Sequence, residues 1–146
     1  MKKILLLGML TLVIASTLSA KGVKVVYDLK SGDAVKVEDY LRKTIQPVAQ
    51  HYKDAKEEFK ATVVISGEAC KFFVLDLQNS PYASQPNAVK IHSLFIPLVM
   101  RLNDTYHISF KVCPSSSGMD KKQSEMKQSI ELIEAQNKGY AYVPLH

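Results

Sequence analysis

The sequence predicts an α/β sandwich built on a mainly parallel sheet. Short runs rich in β-branched residues alternate with longer stretches whose apolar residues recur every three or four positions. The segments joining successive strand-like runs are long enough to carry crossover helices, which is how parallel strands are connected. No internal repeat is present, and about 126 residues follow the first twenty, enough for one domain with one core.

Each element has a local reason. "VKVVYDL" (Val23–Leu29) reads as the first strand and stops at the turn cluster "KSGD". Asp33 or Ser31 stands where it can cap a helix in which Val37, Leu41, Ile45 and Val48 share one face. That helix runs to about Tyr52, with Pro47 set to kink it or break its last turn. "KDAKEE" is a solvated connector, and "FKATVVISG" (Phe59–Gly67) is the second strand, ended by glycine. "EACKFFVLDL" starts a helix with Phe72, Phe73 and Leu75 apolar, and "QNSPYASQPN" (Gln78–Asn87) is a loop by composition. Ile91, Leu94, Phe95, Leu98 and Leu102 then mark a second long helix, with Pro97 as a second kink.

"TYHISFKVC" (Thr105–Cys113) predicts a third strand, with Tyr106, Ile108, Phe110 and Val112 alternating against His107, Ser109, Lys111 and Cys113. "MDKKQSEMKQ" is polar and helical or irregular. "SIELIEAQNKG" predicts a short helix with Ile130 and Ile133 on one side and Gly139 as its stop. "YAYVP" is a final short strand closed by Pro144.

The first twenty residues stand apart from this pattern. Lys2 and Lys3 precede the apolar run "ILLLGMLTLVIA" and the small-residue end "STLSA", the layout of a cleaved secretory signal peptide. Ile4 to Ala20 is 17 residues, at the lower limit for spanning a bilayer, so no stable membrane anchor is expected after cleavage. A periplasmic or otherwise exported location follows. The formal charge of +5 falls to +3 without Lys2 and Lys3, and the remaining lysines are interleaved with acids. No basic stripe with interleaved aromatics is present, so nucleic acid is not an indicated partner. GxSxG, P-loop and GxGxxG patterns are missing, and no cofactor is implied. The four histidines lack metal-ligand spacing, and neither cysteine has a histidine or second cysteine within four residues.

The two cysteines, Cys70 and Cys113, carry the chemical interest. In a parallel sheet, loops at the C-terminal strand ends share one edge, where open α/β folds keep their sites. Cys70 follows the second strand at a helix start, and Cys113 ends the third, so both are expected at that edge. Unpaired helix-start N–H groups and Lys71 favour a Cys70 thiolate, while Glu68 opposes it. Around Cys113, the serines of "PSSSG" (Ser115, Ser116, Ser117) and Gly118 offer N–H and hydroxyl donors to an anionic sulfur. Lys111 lies roughly 7 Å back along the same strand face, and His107 roughly 20 Å, too far to serve as a base. Cys70 also reads as a small space-filling core residue, and Asp28 and Asp76 as turn or helix-surface acids. From the residues alone, a reactive Cys113, a Cys70–Cys113 disulfide and two inert thiols all remain open.

Four segments resemble the DsrE/DsrF-like family of small sulfur-relay proteins. "VKVVYDLKSGD" is similar to its opening strand and turn. "VVISGEACKFFVLDL" resembles its strand and helix start, with Ser66 where a histidine is frequent. "FKVCPSSSGMD" resembles its strand ending in cysteine, and "LIEAQNKGYAYVP" its closing signature, with Ala135 in place of a leucine. The resemblance implies a three-layer α/β/α domain, assembly into oligomers, and a persulfide-carrying cysteine that maps onto Cys113. It implies a sulfur carrier or sulfurtransferase-like protein; the residues read above from their own setting, Cys70, Lys111, Ser115, Ser116 and Gly118, are the expected binding residues. Sulfur donor and acceptor proteins or small sulfur species would be its partners. Two alternatives accompany it: a non-catalytic oligomeric subunit binding a ligand or partner, and a thiol/disulfide redox element using Cys70 and Cys113. The alternating face of the third strand and the tail "YAYVPLH" suggest self-association into a homo-oligomer.

Overall fold

A computed structural model describes residues 22–74, 76–112 and 121–146, with side chains in the last stretch from residue 126 onward. Four parallel strands form one sheet in the order β3-β2-β1-β4. These are β1 (Val23–Leu29), β2 (Phe59–Ile65), β3 (Ser109–Lys111) and β4 (Ala141–Leu145). Helices lie on both faces, so the α/β sandwich is the fold observed. The strand periodicity of two sorts residues between these faces. Val25, Tyr27, Leu29, Ala61, Val63, Ile65 and Leu145 enter the main core, whereas Val26, Asp28, Thr62, Val64 and Tyr142 project from the other face.

The core face is covered by α1 (Ala34–Asp39), a π-helical segment (Tyr40–Ile45), α2 (Gln46–Asp54) and α4 (Pro86–Tyr106). Asp33 caps α1, its carboxylate accepting from the backbone N–H groups of Val35 and Lys36 at 2.9 and 3.3 Å. Pro47 explains the π turn. Proline has no N–H for an ordinary helical bond, and the preceding Gln46 N–H instead reaches five residues back to Leu41. The expected disturbance at Pro47 is therefore a local widening, and the helix continues to Asp54. α4 runs through Pro97 without a break in its helical assignment. Val37, Leu41, Ile45, Phe73 and Leu102 are fully buried between these helices and the sheet, each contributing roughly 1.5–3 kcal/mol of burial free energy.

The third strand is shorter than its alternation predicts. α4 extends to Tyr106, and His107 ends it in the left-handed conformation at φ 57°. The Asn103 side chain then bonds the Ile108 carbonyl at 2.8 Å, so pairing with β2 begins only at Ser109. Helix termination displaced Tyr106 and His107 from the strand. The alternation beyond that point holds, with Ile108 buried and Ser109 and Lys111 exposed.

The polar stretch and the short helix foreseen near the C-terminus form one helix, α5 (Lys121–Asn137), which packs on the second face of the sheet. It ends at Gly139, φ 87°. There the Tyr140 and Gly139 N–H groups return to the Ala135 and Gln136 carbonyls, both at about 3 Å. Ile130 and Ile133 do not face the sheet. They are exposed, and among the described residues of α5 the buried side chain is Gln128.

Candidate functional site

Cys70 lies at the C-terminal edge of the sheet, where its place after β2 puts it. β2 ends at Ile65, and Ser66 continues in extended backbone, its N–H donating to the Leu29 carbonyl at 2.9 Å. Gly67 then turns the chain with φ 57°, a conformation that costs glycine little and other residues more. A 3-10 turn (Gly67–Ala69) leads directly into α3 (Cys70–Phe73), a single helical turn whose Phe72 and Phe73 rings pack against Phe95. These aromatic contacts hold Cys70 at the sheet edge, 9% exposed.

Cys70 is disulfide-bonded. The setting expected to favour a thiolate thus holds a bonded sulfur, an electrophile in thiol–disulfide exchange rather than a nucleophile. The sequence contains one other cysteine, Cys113. Cys113, Ser115, Ser116, Ser117 and Gly118 lie outside the described residues. Lys71 contacts Glu68 at 3.9 Å and lies over the Phe72 ring at 5.1 Å.

Beside Cys70 is a cavity of about 290 Å³ lined by Lys30, Ser66, Gly67, Gln128, Ser129 and Leu132. Gln128 connects the two features. Its amide donates to the Ile65 carbonyl at 2.7 Å and lies 3.9 Å from Cys70 Sγ. Ser66 is 7% exposed, and its Oγ has no hydrogen-bond partner among the described residues. An unsatisfied buried hydroxyl is costly. The volume is near the lower end for ligand pockets.

Lys30, also on this wall, ties the cavity to a buried carboxylate. Its ammonium lies 3.2 Å from Asp28 Oδ2, and Tyr142 donates its hydroxyl to the same oxygen at 2.6 Å. The expectation of a surface or turn acid at Asp28 is overturned. Asp28 occupies the second face of the central strand β1, between Val64 and Pro144, and its side chain is fully buried. Asp76 does sit in a turn, bonded to the Asn79 side chain at 2.6 Å, which holds its carboxyl below the usual range.

Lys111 does not join this group. It ends β3 beside Val64 and lines a separate cavity of about 200 Å³ with Thr62, Glu131, Glu134 and Lys138. Sequence reasoning named Cys70 for the site but missed Lys30, Ser66 as a wall residue, Gln128, Asp28 and Tyr142. The available signal was Asp28 at an even position within the apolar run from Val25 to Leu29, a polar residue where the sheet's second face is covered. Among the described residues, no group of His, Cys, Asp and Glu is arranged to hold a metal ion, and no helix is long and apolar enough to cross a membrane. Compared with known proteins, the chain matches no family model, no curated protein and no solved structure.

Proposed function

We propose that the chain is an exported DsrE/DsrF-type sulfur carrier that holds persulfide sulfur on Cys113, with Cys70 as its disulfide partner at rest. The observation that carries this reading is the bonded Cys70 at the ligand-binding edge of a parallel sheet, beside a small cavity. A disulfide also accords with an oxidising compartment.

The chemistry closes without an outside oxidant. Hydrosulfide attacks Cys113 Sγ, a sulfur–sulfur bond forms, and the Cys70–Cys113 bond breaks with Cys70 leaving as thiolate. The incoming sulfur is oxidised from sulfide to the persulfide level, and Cys70 takes the electron pair. An acceptor thiolate then attacks the outer sulfur, becomes a persulfide, and releases Cys113 as thiolate. Reloading that thiolate from a donor persulfide exchanges sulfur with no net redox change.

Mass spectrometry after incubation with sulfide, and separately of the reduced protein with polysulfide, tests this. One added sulfur on Cys113 is expected in each case, and none in Cys113→Ser. No adduct from either source removes the carrier reading. The bonded state of Cys70 also supports a second reading, a redox or structural disulfide with no cargo. It predicts reversible reduction and a change in stability but no sulfur adduct.

A further inference from the structure

The outward face of α5 is built against the usual pattern. An amphipathic helix on a sheet normally turns its apolar stripe inward and its polar residues to solvent. Among the described residues of α5 the buried one is Gln128, whereas Met126, Ile130 and Ile133 are 61%, 49% and 57% exposed. At about 100° per residue, these three form one stripe on the side of the helix opposite Gln128. Gln128 cannot be turned outward without losing its bond to the Ile65 carbonyl at the end of β2. The stripe is therefore directed away from the sheet by a specific contact.

We infer that this stripe is a dimer seam on which α5 of a second copy packs antiparallel about a twofold axis. The charges on the helix select this occupant. Lys127 and Glu134 lie on the same flank of the stripe, both are exposed, and neither forms an ion pair among the described residues. In an antiparallel pair, like flanks face each other. An axis between Ile130 and Glu131 sets Lys127 level with Glu134 of the partner subunit, and Glu134 level with Lys127 of the partner subunit. The same axis makes Met126, Ile130 and Ile133 alternate in height with their symmetry mates, as ridges fitting into grooves require. A parallel twofold pair would set unlike flanks against each other, leaving Lys127 and the partner's Glu134 on opposite sides of the seam. The twofold places this contact on the second face of the sheet.

Sedimentation equilibrium of the purified protein across the micromolar range tests the seam. A monomer–dimer equilibrium is expected. Ile130→Asp, at a site that is exposed in the monomer, abolishes it while leaving the circular dichroism spectrum unchanged. Lys127→Glu alone and Glu134→Lys alone each weaken the dimer roughly tenfold, and the double reversal restores it to within about threefold. A protein monomeric throughout that range overturns the inference. So does a dimer indifferent to Ile130→Asp, or one that the double reversal fails to rescue; either result would give this face to a different partner.

Discussion

Tyr142 on β4 donates its hydroxyl at 2.6 Å to Asp28 on β1, a carboxylate with no solvent exposure of its own. The register explains the contact. Tyr142 pairs directly with Val26, so Asp28 is its diagonal neighbour two residues along the same face, within reach of a tyrosine side chain. With Lys30, this bond offsets the desolvation of a charge at the centre of the sheet. Tyr142→Phe removes the donor and retains the ring. It is expected to lower stability by about 1–3 kcal/mol, read as a shift in the urea midpoint with an unchanged slope.

The same bond makes stability depend on alkaline pH. Donation to Asp28 raises the Tyr142 phenol above its ordinary value, and burial, with Tyr52 nearby, raises Tyr27. A group raised by folding contributes stability that is complete below its unfolded value and is lost as pH climbs towards the folded one. The chain should therefore weaken as pH rises above about 10. Urea midpoints measured from about pH 8 to about pH 11 should fall in the wild type and fall less steeply in Tyr142→Phe.

Ser66 separates stability from ligand capture. Its buried hydroxyl has no partner among the described residues, so Ser66→Ala should raise the stability of the unliganded protein by about 1 kcal/mol. If the cavity beside it receives the sulfur species, the same substitution slows persulfide formation by a factor of several. A thermal melt and a sulfide-loading time course on one sample would give both readings, and a loss of stability would show that the hydroxyl is satisfied in solution.

Breaking the disulfide at Cys70 should cost about 2–4 kcal/mol. Thermal denaturation with and without dithiothreitol measures this. Cys70→Ser should melt near the reduced wild type and be insensitive to the reductant. Equal melting of oxidised and reduced wild type would mean that the bond constrains nothing of consequence.

The sheet was legible because its signals are local. Val23–Leu29 and Phe59–Ile65 are strands in which β-branched residues dominate, and the long crossovers require them to be parallel. The Asp33 cap and the Gly139 stop were legible for the same reason, since each acts on backbone within a few residues of itself. The third strand was not. Its alternating pattern also fits the last turn of a helix, and the Asn103–Ile108 contact decided where that helix ended.

The sequence by itself determined the layered α/β fold and the position of Cys70 at the C-terminal edge of a parallel sheet. Periodicity and chain direction are properties of neighbouring residues. Only the tertiary structure decided that Asp28 is buried, that Gln128 rather than Ile130 or Ile133 faces the sheet, and that Lys30, Ser66 and Gln128 share a cavity beside Cys70. Each of these depends on partners distant in sequence. Tyr142 follows Asp28 by 114 residues and Gln128 follows Ile65 by 63, and a polar side chain accepts burial only where such a partner meets it.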